Sequence, residues 1–351
     1  MNSELDSILE EYTQLGIQQQ LDYDKFYLYS IITHSTAIEG STVTEIENQL
    51  LFDQVISANK PMTEQLMNLD LKSAYEQSFV YAKKHTDYSI ELLCKLAALV
   101  MKNTGSTYKT IAGEFSSAKG ELRLLNVSAG HGGKSYLAWQ KVPDRLEKFC
   151  QWINEERKKI DKSNTQKIYE LSFEAHYRIV SIHPWADGNG RMSRLIMNMI
   201  QYEAEIIPSI VKKESRAEYI QYLSLSQAYE DSSKFIDFML KHHIENLRHQ
   251  IADYKKSMEV DFNDNEQKTS VQNQHTNDTA KITQKITVKI TVNQQKIIDA
   301  IKENPFITQD ELSSIVGIAR LNINKNMKKL QEQGIIKRVG ADKNGHWEIV
   351  K

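Results

Sequence analysis

Apolar residues recur along most of this chain at intervals of three and four, the spacing of one buried face on an α-helix. Residues 1–105 read as successive amphipathic helices. Thr44 and Glu47 stand three apart just before the apolar run of Leu50, Leu51 and Val55, a capping-box pattern that predicts a helix start. Residues 88–103 carry Leu92, Leu93, Leu96, Leu99 and Val100 at helical spacing. Between Gly105 and Val142 the texture changes: six glycines appear among Ser, Thr and Tyr with little periodicity, which predicts a loop and a β-hairpin near 124–138. Helical spacing returns at 143–159 and at 166–182, where Ile168, Leu171, Ala175, Ile179 and Ile182 share a face. It stops at His183-Pro184, because proline disfavours helix in the residue before it. After the short loop WADGNG it restarts with Leu195, Ile196, Met199 and Ile200, and two more helices are expected at roughly 214–229 and 232–254.

From 256 to 280 the chain is polar and nearly without aliphatics, which predicts a linker. Residues 281–292 read KITQKITVKITV; the β-branched content favours a strand with Ile282, Ile286, Val288, Ile290 and Val292 on one face. The tail predicts helices at 294–303, 308–317 and 319–333, then strand, Asn-Gly turn and strand. Three helices followed by a hairpin is the order of a winged helix-turn-helix.

Composition agrees with a mainly α reading. The chain has 351 residues but only 14 glycines and five prolines, against average usage of about 7% and 5%. So few turns argue against an all-β sandwich, and the length predicts two or three domains. The net charge of −2 excludes a polyelectrolyte binder as a whole, though not within one domain. Cys94 and Cys150 each lack a CxxC partner, which predicts buried thiols in a reducing compartment rather than a disulfide framework. MNSELDSILEEYTQL has neither a basic flank nor an apolar core, so no signal peptide is expected. No apolar run is long and uncharged enough to span a membrane, and a cytoplasmic protein without membrane contact is expected.

The residues most informative about chemistry are HPWADGNGRMSR, His183 to Arg194. A histidine ends one helix, an acid follows at Asp187, and Gly188-Asn189-Gly190 open the next helix. Glycines at a helix N-terminus let backbone N–H groups converge on an anion, which the helix dipole also favours. Arg191 and Arg194 lie three apart, so both reach one face within a turn, and their forks match phosphate oxygens. Asp187 offers a hard oxygen to a Mg²⁺ riding on a polyphosphate. His183 is the group here able to accept a proton near neutral pH. Together these imply transfer from a nucleotide phosphate. GNGRMS lacks the third glycine and preceding buried strand of a dinucleotide fingerprint, and it has no GKS/T of a phosphate-binding loop.

HPWADGNGRMSR resembles the H-x-F-x-[D/E]-G-N-G-R-x-x-R signature of the Fic family, with Trp185 at the usual Phe. The resemblance extends over roughly residues 30–250. AGEFSSAKGELR and LLNVSAGHGGKSYLAW stand where that family has a β-hairpin flap, which docks a target protein by strand pairing. It implies a helical Fic bundle with a flap, residues 106–254 as catalytic core behind an N-terminal helical region 1–105, a linker at 255–293 and the winged-helix domain at 294–351. It also implies that His183 deprotonates a target hydroxyl and that Asp187 holds Mg²⁺ between the α- and β-phosphates of ATP. Gly188, Asn189 and Gly190 would line the anion nest, Arg191 would contact the β-phosphate and Arg194 the γ-phosphate. AMP would pass to a protein Tyr, Thr or Ser, with pyrophosphate leaving.

STAIEGSTVT carries a second resemblance. Ser35-x-x-x-Glu39-Gly40 is similar to the family's inhibitory [S/T]-x-x-x-E-[G/N] motif, which implies that Glu39 pairs with Arg194 and takes the fork the γ-phosphate needs. Alternatives within the resemblance are another donor, removal of AMP, or a DNA-binding regulator whose Fic core senses nucleotide. Ten Lys/Arg against seven Asp/Glu between 294 and 351 make the tail basic. Its third helix presents Arg320, Asn322, Lys325, Asn326, Lys328 and Lys329, and Lys337 and Arg338 begin the wing. Duplex DNA is the expected partner of the tail; protein contacts or homodimerisation are the alternative.

Overall fold

A computed structural model describes residues 4–54, 59–128, 135–161, 163–272, 292–316, 320–332, 335–339 and 345–350. The chain parts into two compact units, Met1–Val271 and Gln272–Lys351. The first holds α1 (Glu4–Gln14), α2 (Tyr23–Ile38), α3 (Glu45–Gln54), α4 (Met62–Lys83), α5 (Ile90–Val100), the hairpin β1 (Thr107–Thr110) and β2 (Gly113–Ser116), then α6 (Val142–Lys159), α7 (Thr165–Ile182), α8 (Asn189–Glu203), α9 (Arg216–Tyr229) and α10 (Ser233–Gln272). The second holds α11 (Val292–Glu303), α12 (Gln309–Val316), α13 (Arg320–Glu332) and an antiparallel β3 (Ile336–Val339) and β4 (His346–Ile349). Among the described residues no helix is long and apolar enough to cross a membrane.

The core of the first unit runs from Leu5 to Ile251, so the N-terminal helices and the stretch after residue 105 share one apolar interior. At its centre lies α8. Met192, Leu195, Ile196, Met197 and Met199 are fully enclosed, and so are the polar residues between them. Those polar groups are paired, as buried polar groups must be. Asn198 Oδ1 accepts from Tyr75 OH at 2.8 Å, and Gln201 Nε2 donates to Ser172 Oγ at 2.9 Å. A helix buried on all sides has its N-terminus placed by the whole bundle, and that N-terminus is where Gly188 to Arg194 lie.

Several expectations need correction. The first unit's regular hairpin is β1–β2, earlier than expected, with Tyr108 stacked on Phe115 at 5.0 Å. Strands of four residues joined by two give too short an alternation to register. At 124–138 the described residues form one antiparallel bridge, Ser128 to Ser135, with Tyr136 N–H donating to Val127 O at 3.0 Å. Residues 129–134 lie outside the described set. The helix expected to end at 254 runs to Gln272, into the segment read as linker. Nothing between Ser233 and Gln272 is Gly or Pro, so a polar sequence rich in Lys, Glu and Gln can continue the helix. Val292, read as the last strand residue of the KIT repeat, opens α11 instead; the rest of that repeat is outside the described residues. The Thr44–Glu47 box is present, with Thr44 N–H donating to Glu47 Oε2 at 2.8 Å. An equivalent box, Thr308 with Glu311, starts α12.

Candidate active site

α7 ends because Pro184 follows His183, and His183 takes a left-handed conformation (φ 53°) that turns the chain while its N–H still donates to Ile179 O at 3.0 Å. The turn into α8 is stapled by Asn189. Its Oδ1 accepts from Trp185 N at 3.1 Å and its Nδ2 donates to Trp185 O at 2.8 Å. The Trp185 ring is 1% exposed, and its Nε1 donates to Gly120 O at 3.1 Å. Gly188 has φ 82°, and a Cβ there would sit 2.8 Å from Met101 Sδ. Met192 N–H makes the first helical bond, to Gly188 O at 2.9 Å, and no side chain caps α8. The N–H groups of Asn189, Gly190 and Arg191 are therefore without intrahelical partners, an open donor set at a positive helix end.

Two buried guanidinium groups face this end. Arg191 donates Nη1 to Val100 O at 3.3 Å and Nη2 to Met101 Sδ at 3.0 Å. Its Nε has no partner, and its nearest carboxylate is the exposed Asp187 at 3.7 Å. Such an incompletely matched buried cation suits an added anion. Arg194, 3% exposed at the side chain, is matched: Nε donates to Ser35 Oγ at 2.8 Å, Nη2 to Ser35 O at 3.0 Å and to Glu39 Oε1 at 2.6 Å. Nη1 reaches Tyr219 OH at 3.4 Å. Burial pushes Glu39 up and Arg194 down, but the mutual charge and hydrogen bond outweigh it. Glu39 lies below the usual carboxylate range and Arg194 is firmly protonated.

Ser35 and Glu39 reach one arginine because they are four apart at the end of α2, one above the other on one face. That end is anchored. Thr36 Oγ1 donates to Asn68 Oδ1 at 2.8 Å, Asn48 Nδ2 to the same atom at 2.9 Å, and Asn68 Nδ2 to Ser41 Oγ at 3.1 Å. From α9, Arg216 Nε donates to Ile38 O at 2.8 Å, satisfying a terminal carbonyl of α2. Gly190 lies against the same contact. A Cβ there would overlap Glu39 Oε1 and lie 3.2 Å from Arg194 Nη1. Gly190→Ala is expected to drive the carboxylate off Arg194 and lower stability by about 1–3 kcal/mol, read as a reduced urea midpoint. An unchanged midpoint would contradict this account.

His183 Nδ1 faces Val180 O at 3.3 Å, so the ring proton sits on Nδ1 and Nε2 is left as acceptor. Burial holds the imidazole down to about 4. The Arg123 charge acts in the same sense, while the Val180 contact, Asp187 and Glu39 act against it. The imidazole is neutral at pH 7 and able to take a proton. Among the described residues no three His, Cys, Asp or Glu gather as a metal cage. Glu39 is engaged by Arg194, so Asp187 is the carboxylate left to offer, a donor set that fits Mg²⁺ carried in on phosphate oxygens.

All nine residues singled out from sequence are thus in or beside one site, with Asp187 at its exposed rim. Sequence reasoning missed four others: Tyr219, whose OH bridges Arg194 to His176 Nε2 at 2.9 Å; His176, held neutral by burial; Tyr136, stacked on His183; and Arg123. Apart from the aromatic placement of Tyr136 in the glycine-rich stretch, no local signal marks them.

The Fic/DOC family pattern matches residues 87–201, which span the site turn and most of α8. The chain carries a Fic domain. Helices α1 to α4 lie before that match, and a pattern for winged helix-turn-helix DNA-binding matches residues 291–337. Protein adenylyltransferase fic-1 of Caenorhabditis elegans is 25% identical over 249 residues, 70% of this chain and 45% of its own length. Protein adenylyltransferase Fic of Drosophila melanogaster is 27% identical over 206 residues, 56% of this chain and 36% of its own. The chain thus spans less than half the length of the curated relatives it matches. A Fic domain containing signaling protein from Bacteroides thetaiotaomicron shares the fold, with a TM-score of 0.60 at 18% identity over 72% of this chain and 98% of its own. In the winged-helix unit, Lys328 is exposed, Lys337 pairs with Glu348 at 2.8 Å and Arg338 lies 4.9 Å over the Trp347 ring. The side chains of Arg320, Asn322, Lys325 and Lys329 lie outside the described set.

Proposed function

We propose that the chain is an autoinhibited protein adenylyltransferase, transferring AMP from ATP to a Tyr, Thr or Ser hydroxyl of a target protein that docks along the flap. His183 Nε2 takes the hydroxyl proton, the oxygen attacks the α-phosphorus, and the bond to the bridging oxygen breaks to release pyrophosphate. Arg191 and the open N–H groups of α8 hold phosphate oxygens. Arg194 joins them once Glu39 lets go. Asp187 would hold Mg²⁺, which when bound draws charge from the phosphates. The winged helix is proposed to read duplex DNA, supported by its basic composition.

The observation that carries this reading is the 2.6 Å contact of Glu39 Oε1 with Arg194 Nη2 at the mouth of the anion nest. A carboxylate on that fork takes donors a γ-phosphate would use and repels it. Glu39→Gly with Mg²⁺ and α-labelled ATP is expected to label itself or an added protein at least about tenfold faster than the parent, the size of effect expected from losing one charge-assisted contact. γ-Labelled ATP should leave no label, and His183→Ala should abolish the reaction in the Glu39→Gly background. No incorporation by Glu39→Gly, or incorporation that survives His183→Ala, would overturn the assignment. Because the imidazole is neutral above about 4, the rate should hold through neutral pH and fall on the acid side.

A further inference from the structure

The return limb of the flap places Tyr136 face to face with the His183 imidazole, ring centroids 3.9 Å apart and planes 18° from parallel. Both partners in this stack are tied to one buried group. Arg123, 1% exposed, donates Nε to His183 O at 2.7 Å, Nη1 to Leu125 O at 2.7 Å and Nη2 to Leu137 O. Its own N–H donates to Pro184 O at 3.1 Å. Leu125 is on the entering limb of the flap and Leu137 on the returning one. One planar fork thus holds both limbs and the residue carrying the base. Arg123 has no carboxylate partner among the described residues. A buried cation satisfied by carbonyls alone is expensive to keep, and its rigid fork is what repays that burial here. Tyr136 also lines a cavity of about 690 Å³ with Tyr177, Ser181 and Gln227, whereas His183 does not. Tyr136 is thus the residue shared by the stack and the cavity lining.

We infer that Tyr136 is a positioning residue for His183: its ring clamps the imidazole with Nε2 free and shields it from the cavity, so the flap that receives the acceptor also sets the base. This rests on the reading of His183 as the base. The groups around the imidazole are Tyr136 and Arg123 from the flap and its approach, Val180 O from α7, Asp187 from the turn and Glu39 from α2. Burial outweighs the two carboxylates, and Tyr136 supplies a whole face of that burial. Removing the ring admits water and returns the imidazole toward its ordinary range, whereas removing only the hydroxyl does not.

The test is an NMR titration of His183 in the full chain, its ring resonance assigned by comparison with His183→Ala. A midpoint near 4 is expected for the parent and for Tyr136→Phe. Tyr136→Ala should rise by about one unit or more toward the usual 6.5. If Tyr136→Ala does not fold, Tyr136→Leu, which keeps bulk without a flat face, should show the same direction with a smaller shift. A midpoint unmoved by Ala, or by Leu where Ala does not fold, overturns the assignment, as does a Phe variant that behaves like Ala. In the Glu39→Gly background the acid limb of kcat should move with the midpoint, and kcat should fall about tenfold with KM for ATP little changed. If Glu39→Gly transfers nothing, the proposed function fails while the titration still decides the role of Tyr136.

Discussion

Glu39→Ala is expected to unfold at a lower temperature than the parent and to recover most of the difference in saturating Mg-ATP. Arg194 is enclosed, and without Glu39 its guanidinium keeps Ser35 Oγ, Ser35 O and Tyr219 OH, all neutral acceptors. Breaking a buried pair from one side costs about 3–5 kcal/mol. Those remaining bonds, and the third of the Glu39 side chain that water reaches, reduce this to about 1–3 kcal/mol. For a unit of this size that corresponds to a Tm lower by roughly 2–6 °C. Under the proposed function ATP would restore an anion to Arg194, so its stabilisation, about 2.7 kcal/mol at a hundredfold excess over Kd, should be larger in the variant. Equal Tm increments in the two proteins would contradict the competition. The pH dependence has a definite sign. Glu39 is depressed below its ordinary 4.5, so its contribution is complete above that value and is lost as pH falls through the lower, folded-state value. The gap between parent and Glu39→Ala should close in that acid window.

Trp185→Ala has the largest expected effect on stability. The ring is 1% exposed between Gly120 and the start of α8, and deleting a buried tryptophan costs about 3–5 kcal/mol. Gly120 O also loses its donor. Trp185→Phe keeps most of the volume and removes the Nε1 bond, for about 1–2 kcal/mol. Urea denaturation should show a large midpoint shift for Ala, a smaller one for Phe and the parental slope for both. A Phe variant as unstable as Ala would mean that the hydrogen bond, not the packing, holds the turn.

The helices were legible where periodicity and punctuation agree. Ile168 to Ile182 share a face and Pro184 ends it, which is where α7 stops. Polarity after residue 254 predicts a linker, whereas α10 runs on to Gln272, because helix propensity alone can extend a helix that nothing interrupts. The clustering of His183 with Gly188 to Arg194 follows from adjacency in one turn. The meeting of Glu39 with Arg194, 155 residues apart, does not, since no local spacing encodes it. It was approached only through a resemblance. Arg123, Tyr219 and His176 are hidden for the same reason: apart from the bond of Arg123 to Leu125 O, their partners come from elements distant in the chain, as does the His183 ring on which Tyr136 stacks.

The anchoring of α2 has a consequence for dose. Glu39 and Arg194 belong to one chain, and the end of α2 is tied by Asn68 and Arg216. The carboxylate is therefore presented at a fixed, high effective concentration that dilution cannot lower. Under the proposed function, one blocker would accompany every site, and no stoichiometric excess of the protein would escape it. Competing anions then act against a local opening equilibrium rather than a dissociation constant. Whatever shifts that equilibrium needs only to loosen the last turn of one helix, leaving the rest of α2 folded in the core.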